Sequence, residues 1–322
     1  MKKLFLLDMD GTIYLGEQLF EGTAEFLSFV KERGGQYAFL SNNSSRGIEG
    51  YLAKMQRMGI PQTPWDFLTS VDSTIEYLKK TYPGCDKNVG EPGILGCDCF
   101  SVARRKTVFY VCGTENLKGQ LRAAGLSVLS DDEAEMLLAA QSGRHRRDGS
   151  SGAKLIDSAR ESAVNADSCA AASLPVVLLG FDTELYYRKL EICVRLLGCG
   201  ADYIATHPDL TCPVEWGNMP DIGLVIHDLE VCTGRKPVII GKPQPQMVYS
   251  ALKKYGAKPE DAVLIGDRLY TDIACGENAG IDTILVLSGE GTAEDCEKYG
   301  VHPTWIYKDI AAVLEDMKAG KI

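Results

Sequence analysis

A short apolar run near the amino terminus leads directly into two carboxylates that are one residue apart. Residues 4–7 are Leu-Phe-Leu-Leu, and Asp8 and Asp10 follow them, with Gly11 directly behind. Because glycine lets the backbone turn sharply at the end of a strand, both carboxylates can face one small volume. In an open α/β sheet, ligands bind in the crevice beyond the carboxyl ends of the strands. The segment therefore predicts a polar site at the end of a buried strand.

Two carboxylates this close repel each other unless something offsets their charge. A hard cation such as Mg²⁺ accepts carboxylate oxygens as ligands, and a proton held by one of the pair also relieves the repulsion. The segment taken alone is equally compatible with an ordinary turn, since Asp and Gly are common turn residues. The choice between a reactive pair and a turn therefore depends on the rest of the chain.

The composition is that of a globular protein with room for two domains. The chain has 322 residues, of which 45% are hydrophobic and 24% are charged, and chains beyond about 250–300 residues usually divide into domains. The net charge of −10 arises from 44 acidic and 34 basic residues. We therefore do not expect nucleic acid as a partner.

The amino-terminal residues and the cysteines indicate the compartment. The start of the chain resembles a secretory signal, but its apolar run stops at Asp8 and no small-residue cleavage site follows. We therefore expect a cytoplasmic protein with no membrane partner. The 11 cysteines are odd in number and scattered along the chain, which favours reduced thiols over disulfides.

Predicted strands and helices alternate in two separate parts of the chain. The strands of these two parts are predicted at residues 3–7, 37–40, 237–240, 262–265 and 283–287. Strand–helix–strand units of this kind form parallel sheets. We therefore predict an α/β fold with a Rossmann-like, doubly wound parallel sheet, formed by residues 1–68 plus 237–322.

The intervening residues 69–236 carry their own strand and helix signals and predict an inserted α/β domain. Within it, residues 141–174 are rich in Ser, Ala, Gly and charge, which predicts a mobile loop. Residues 84–105 form a second irregular segment, to which the sequence assigns no role.

Further polar residues follow the other predicted strands of the sheet. They are Ser41, Asn42, Lys242, Asp267 and Asp272. Together with the first two carboxylates, they match what phosphoryl transfer through an aspartyl intermediate requires. A carboxylate attacks phosphorus only when the repulsion between two anions is relieved, which Mg²⁺ does by contacting both.

Each residue type has a predicted task in such a reaction. Asp267 would be a further metal ligand, and Asp272, one helical turn on, would orient a metal-bound water. Lys242 and Ser41 would neutralise and hydrogen-bond the phosphoryl oxygens. Asp10 would give a proton to the leaving alkoxide and later take one from water.

Four motifs in chain order resemble those of the haloacid dehalogenase (HAD) superfamily of aspartate-nucleophile phosphatases. The long insertion and the residues around the first two motifs are similar to the branch with a large α/β cap, which contains nitrophenylphosphatases, nucleotide phosphatases and phosphoglycolate phosphatases. The motifs are Asp8-Met9-Asp10-Gly11-Thr12, Leu40-Ser41-Asn42, Gly241-Lys242-Pro243 and the segment from Gly266 to Asp272.

The resemblance implies specific roles for the motif residues. Asp8 is implied to be the nucleophile and a Mg²⁺ ligand, Asp10 the general acid/base with a backbone carbonyl on the metal, and Asp267 a further ligand. The second acid disfavours dehalogenase chemistry, because superfamily members with carbon–halogen chemistry lack it. The residues implied to hold the phosphate are Ser41, Asn42 and Lys242.

The inserted domain is implied to cap the site and to contact the substrate through a segment resembling residues 205–209. Relatives usually have Asn where this chain has His207. We expect His207 to contact a substrate oxygen, and packing within the cap is the alternative. Dimers formed through the cap are consistent with this branch.

Three classes of function are compatible with these residues. The leading one is a Mg²⁺-dependent phosphatase that acts on a small phosphorylated metabolite. A phosphotransferase or mutase on the same scaffold is the second, and a catalytically silent binding protein is the third. Because all the expected catalytic residues are present, the sequence disfavours the third class.

Overall fold

The computed structural model describes residues 2–82, 107–145, 174–214 and 216–322. Its strands are β1 (Leu4–Leu7), β2 (Tyr14–Leu15), β3 (Gln18–Leu19), β4 (Gln36–Ser41), β5 (Phe67–Thr69), β6 (Val108–Cys112), β7 (Ser127–Leu129), β8 (Val176–Leu179), β9 (Tyr203–Ala205), β10 (Thr211–Val214), β11 (Gly217–Pro220), β12 (Val238–Ile239), β13 (Ala262–Gly266), β14 (Asp282–Val286) and β15 (Trp305–Tyr307).

Helices connect most of these strands. They are α1 (Thr23–Glu32), α2 (Ile48–Arg57), α3 (Ser70–Thr81), α4 (Glu115–Ala123), α5 (Asp131–His145), α6 (Tyr187–Gly198), α7 (Ile222–Thr233), α8 (Gln246–Tyr255), α9 (Ala274–Ala279), α10 (Asp295–Tyr299) and α11 (Ile310–Lys318). A π-helical turn at Leu269–Ile273 leads into α9. No helix in the described ranges is long and apolar enough to cross a membrane.

Six parallel strands form the core sheet, in the order β15-β14-β13-β1-β4-β5. Strand β1 is buried along its whole length. Leu4 and Leu6 pack into the hydrophobic cluster on one face of the sheet, and Phe5 and Leu7 pack into the cluster on the other. Because side chains alternate along a strand, a strand covered on both faces is apolar throughout, as residues 4–7 are.

Five parallel strands form a second sheet, the cap sheet, in the order β12-β9-β8-β6-β7. The chain reaches it after β5 and returns to the core sheet at β13. The α/β class and the parallel, doubly wound core sheet with an inserted α/β cap are confirmed. The residue limits of the two domains stay a prediction.

One predicted strand belongs to a different sheet from the one expected. Residues 237–240 are predicted from the sequence as a core strand, but Val238 and Ile239 pair with Ile204 and Ala205 of the cap sheet. The prediction was wrong because a short apolar run shows that a strand exists and not which sheet it joins. The chain thus passes from the last cap strand to Lys242 within three residues.

The two irregular segments fall largely outside the described residues. Residues 84–105 lie wholly outside them. Of the predicted mobile loop at residues 141–174, residues 141–145 are the last part of α5, and residues 146–173 lie outside the described ranges. The helix therefore extends five residues into the segment predicted as a loop.

Candidate active site

Three neighbouring strands of the core sheet bring the predicted polar residues to one edge. Asp8 follows β1, Ser41 ends β4, and Asp267 follows β13. Strand β1 lies between the other two. The chain continues from β4 to β5 on one side of β1 and from β13 to β14 on the other side. This is the switch point at which doubly wound sheets form a crevice. The convergence of these residues follows from the topology of the sheet.

Lys242 is buried between two carboxylates. Its Nζ lies 2.5 Å from Asp8 Oδ1 and 2.6 Å from Asp272 Oδ1, and it also donates to the carbonyl oxygen of Leu40 at 3.3 Å. Burial lowers the pKa of this ammonium, but the charges of Asp272 and Asp8 outweigh burial, so its pKa lies above the ordinary value. Lys242 is therefore charged and points at the predicted nucleophile.

Asp8, Asp267 and Asp272 form a cluster of three carboxylates. One oxygen of each lies within 4.8 Å of the others. Burial, followed by the charge of Asp272, raises the pKa of both Asp8 and Asp267. One lysine cannot neutralise three carboxylates, and oxygen is the ligand type that Mg²⁺ prefers. The donor set therefore fits a divalent cation.

Asp272 is itself a member of the carboxylate cluster. It is predicted to stand one helical turn beyond them and to orient a metal-bound water. In the structure its Oδ2 accepts a hydrogen bond from the Arg268 backbone N–H at 3.1 Å, and its Oδ1 contacts Lys242. The π-helical turn that begins at Leu269 carries its side chain into the carboxylate cluster.

Gly11 is required by the close approach of Asp267. Its φ is +89°, and a Cβ at this position would lie 2.5 Å from Asp267 Oδ2. The same oxygen accepts the Glu290 backbone N–H at 2.8 Å, and Thr12 Oγ1 donates to Oδ1 at 3.3 Å. The turn after β1 therefore holds the Asp267 side chain in one orientation.

Asp10 lies on the open side of the site. Its side chain is 40% exposed, and Lys54 and Tyr14 contact its two carboxylate oxygens. It lines the same cavity as Asp8 and Lys242. The structure therefore places the two acids of the first motif differently, with Asp8 against the buried lysine and Asp10 facing the opening.

Ser41 and Asn42 both line the cavity, but their side chains have different surroundings. Ser41 Oγ lies 2.7 Å from Tyr51 Oη and accepts the Asn43 backbone N–H at 3.2 Å. The hydroxyl of Ser41 is thus held in place at the edge of the cavity, as a phosphate-binding group requires. Its predicted role is compatible with this geometry.

The side chain of Asn42 is already fully engaged within the protein. Its Nδ2 donates to Asp209 Oδ1 at 2.9 Å and to the Lys242 carbonyl oxygen at 3.1 Å, and its Oδ1 accepts the Lys242 backbone N–H at 2.9 Å. These contacts tie the core to the cap and orient the loop that carries Lys242. The predicted phosphate contact is thus not available to the Asn42 amide in this arrangement.

His207 is predicted from the sequence to contact the substrate, and the structure corrects this. The ring is fully buried, with Nδ1 2.9 Å from Thr206 Oγ1 and Nε2 3.1 Å from Asp221 Oδ1. Burial lowers its pKa, but the hydrogen bond and charge of Asp221 outweigh burial and leave the pKa raised. Both nitrogens therefore serve cap packing, which was the alternative expectation.

The site opens into a small polar cavity of about 50 Å³. Core and cap both contribute to its wall, and most of the lining side chains are acidic, amide or basic. The lining residues are Asp8, Met9, Asp10, Ser41, Asn42, Asn43, Asp209, Thr211, Cys212, Pro213, Asp221, Lys242, Arg268, Thr271 and Asp272.

Comparison with known proteins identifies the family. Residues 5–127 match the haloacid dehalogenase-like hydrolase family, and residues 239–313 match a family described as HAD-hydrolase-like. A 4-nitrophenylphosphatase from Thermotoga maritima, of known crystal structure, is 34% identical to this chain, with 98% of this chain and 97% of that chain covered and a TM-score of 0.73. The chain belongs to the HAD hydrolase family.

Two further relatives agree with this HAD assignment. An acid sugar phosphatase of Staphylococcus aureus is 27% identical over 316 residues, which are 98% of each chain. A glycerol phosphate phosphatase from Mycobacterium tuberculosis, solved in complex with magnesium, has the same fold, with a TM-score of 0.72, 24% identity, and 98% of this chain and 78% of that chain covered. The predicted superfamily and the class of phosphoric monoester hydrolase are confirmed.

Several residues of this HAD site have roles that were not predicted from the sequence, although Asp209 lies in the predicted cap segment 205–209 and Arg268 in the fourth motif. Asp209 and Arg268 join the cap to the core through a 3.4 Å ion pair at the cavity wall. Tyr14 and Lys54 contact Asp10, and Tyr51 contacts Ser41. One signal was present in the sequence, which predicts a helix over about residues 48–58. Lys54 lies three residues after Tyr51 and directly before Met55, on the apolar face of that helix.

Asp267→Asn is expected to stabilise the metal-free protein at a pH of about 8 and to abolish most of the stabilisation by Mg²⁺. The Asp267 carboxyl has an ordinary pKa of 3.8, which burial and the charge of Asp272 raise to about 7. Between these values the unfolded chain releases the proton and the folded protein keeps it, so stability falls as pH rises. Asparagine removes this loss, which is on the order of 2–4 kcal/mol.

Thermal unfolding in EDTA and in Mg²⁺ across this pH range measures both effects. Asp316→Asn is the matched control, because the hydrogen bond from Lys321 lowers the pKa of that partly exposed carboxyl. Replacing the Asp316 carboxylate with an amide should therefore not raise the melting temperature. A melting temperature of Asp267→Asn that equals or falls below the wild-type value in EDTA at high pH would contradict the repulsion between the clustered acids.

Proposed function

We propose that this HAD-family phosphatase hydrolyses a small phosphomonoester in a Mg²⁺-dependent reaction through an aspartyl phosphate on Asp8. The observation that carries the proposal is the cluster of three carboxylates with Lys242 against Asp8. A carboxylate beside a cation, in the wall of a polar cavity, can approach an anionic phosphoryl group. A turn or a purely structural acid would need neither the buried lysine nor the clustered acids.

The proposed reaction has two steps, which are formation and hydrolysis of the aspartyl phosphate. Asp8 forms a bond to phosphorus, the bond to the leaving oxygen breaks, and that oxygen takes the proton of Asp10. Water then attacks the phosphorus of the aspartyl phosphate while Asp10 accepts its proton, which releases phosphate and restores Asp8. Lys242 and the hydroxyl of Ser41 would bind the phosphoryl oxygens, where negative charge is held in the transition state.

Asp8, Asp267 and the backbone carbonyl of Asp10 would hold Mg²⁺, with Asp272 beside them. The bound ion would offset the repulsion between the carboxylate of Asp8 and the phosphoryl group. Two observations support this assignment: the raised pKa of Asp8 and Asp267, and the all-oxygen donor set. Asn42 would orient the loop of Lys242 through its amide, in place of the phosphate contact predicted for it.

We propose a small phosphorylated metabolite as the substrate. The cavity of about 50 Å³ has room for a phosphoryl group and little more, so the rest of the substrate would lie toward the opening. The relatives named for sugar phosphate, glycerol phosphate and nitrophenyl phosphate act on small monoesters. The domain limits, the homodimer through the cap and the cytoplasmic location stay predictions.

Release of inorganic phosphate tests the proposal and separates it from the alternatives. The purified protein should release phosphate from 4-nitrophenyl phosphate and from sugar phosphates with Mg²⁺, and this release should cease in EDTA and return when Mg²⁺ is restored. Phosphate transfer to an added alcohol without phosphate release would indicate a phosphotransferase or mutase. No turnover of any monoester with Mg²⁺ would indicate a silent binding protein.

A further inference from the structure

Both carboxylate oxygens of Asp10 have a specific neighbour. Oδ1 lies 3.6 Å from Lys54 Nζ, and Oδ2 lies 3.3 Å from Tyr14 Oη. The two neighbours also contact each other, since Lys54 Nζ stands 3.6 Å from the centre of the Tyr14 ring. Asp10 thus completes a triangle in which each of the three side chains touches the other two.

Lys54 is unusual because it is a lysine on the buried face of a helix. It shares that face of α2 with Tyr51 and Met55, and its side chain is 9% exposed. Burying an ammonium is costly unless it is paired, and burial outweighs the charge of Asp10, so the pKa of Lys54 lies below its ordinary value. The contacts that offset part of this cost are the ring of Tyr14 and the carboxylate of Asp10.

Tyr14 is held rigidly relative to Asp10. Its side chain is fully buried, its carbonyl oxygen accepts the Gly11 backbone N–H at 2.8 Å, and its own N–H donates to the Met9 carbonyl oxygen at 3.4 Å. These bonds close the turn that begins at Asp10. A fixed phenol and a fixed ammonium therefore face the two oxygens of a carboxyl group that would otherwise sample several rotamers.

We propose that Lys54 and Tyr14 are positioning residues that orient the Asp10 carboxyl toward the leaving oxygen of the substrate. The inference rests on the proposed role of Asp10 as the acid. When the bond from phosphorus to the leaving oxygen breaks, the electron pair stays on that oxygen, which takes the proton from Asp10. Proton transfer needs the two oxygens within hydrogen-bond reach, so a carboxyl that turns away is ineffective.

Two aryl monoesters of similar shape isolate this step. Nitrophenolate is a stable anion that leaves without a proton, whereas phenolate needs one far more. The value of kcat/KM reports events up to the first irreversible step, which is loss of the leaving group. Orientation of the acid therefore affects kcat/KM for phenyl phosphate far more than for 4-nitrophenyl phosphate.

Lys54→Met and Tyr14→Phe are the test variants. Both should lower kcat/KM for phenyl phosphate by about 10- to 100-fold, and for 4-nitrophenyl phosphate by less than about threefold. Arg57→Met is the matched control, because Arg57 is a cation one turn further along α2 that pairs with Glu17 at the surface. In Arg57→Met, the ratio of kcat/KM for phenyl phosphate to kcat/KM for 4-nitrophenyl phosphate should equal that of the wild type.

Asp10→Asn separates failure of the inference from failure of the proposed function. If Asp10→Asn changes the ratio of kcat/KM values and neither positioning variant does, the inference is overturned and the acid role stands. If Asp10→Asn leaves the ratio unchanged, the acid role itself is wrong, and the inference fails with it. Should Lys54→Met fold poorly, Tyr14→Phe, which removes a single oxygen atom, decides the outcome.

Discussion

Asp8→Asn is expected to lower kcat by at least about 10⁴-fold, because the variant lacks the nucleophile on which the proposed reaction depends. The amide keeps the size and shape of the side chain, but its oxygen is a poor nucleophile and a neutral metal ligand. The effect should be the same for every monoester, whatever its leaving group. Initial rates of phosphate release with saturating Mg²⁺ measure it directly.

The variant should fold normally, which makes the loss of activity interpretable. The pKa of Asp8 is raised by burial and by the charge of Asp272, so removing the Asp8 charge relieves repulsion. Its melting temperature in EDTA should therefore not fall below the wild-type value. Asp132→Asn, at an 81% exposed side chain on α5, is the control and should keep wild-type turnover. Near wild-type activity of Asp8→Asn would refute the aspartyl-phosphate mechanism.

Lys242→Met is expected to cause the largest loss of stability together with a large loss of activity. The change leaves the buried Asp272 and the partly buried Asp8 without their shared cation, and removing one partner of a buried ion pair costs about 3–5 kcal/mol. It also removes a positive group aimed at the phosphoryl oxygens, which we expect to lower kcat by about 10²- to 10³-fold.

Urea unfolding in EDTA measures the free energy of unfolding without compensation by a metal ion. The loss should be greater near neutral pH than in mild acid, because protonation of the crowded carboxyls relieves their repulsion. Lys253→Met, at an exposed lysine on α8, is the matched control. It should change neither the free energy of unfolding nor kcat appreciably. A fully stable, fully active Lys242→Met would show that this lysine is neither the structural cation nor a phosphate contact.

The core of the site could be predicted because it depends on local patterns and one rule of topology. Asp8 and Asp267 each follow a continuous apolar strand, and Ser41 ends another. The carboxyl ends of adjacent parallel strands meet at one edge of a sheet, so these residues converge whatever the loops do. Glycine at position 11 is likewise predictable as the residue that lets the chain turn after β1, whereas its close contact with the Asp267 carboxylate is visible only in the structure.

The cap was harder to predict because its assignments depend on which surfaces meet. Strand β12 has the same composition whether it pairs with β9 or with a core strand, and only the pairing at Val238 and Ile239 decides. The Asn42 amide could have faced a phosphate equally well. It instead meets Asp209, a residue 167 positions away in the chain.

The amino-acid sequence by itself determined the class of fold, the strand-end acids, the lysine and the chemistry that these residue types can perform. The tertiary structure decided which of the polar residues are free to act and which hold the others. The ring of His207 is bound by Thr206 and Asp221, whereas Lys54 reaches Asp10 from helix α2. Residue type and spacing are local properties, but hydrogen-bond partners of buried groups are set by packing between distant segments.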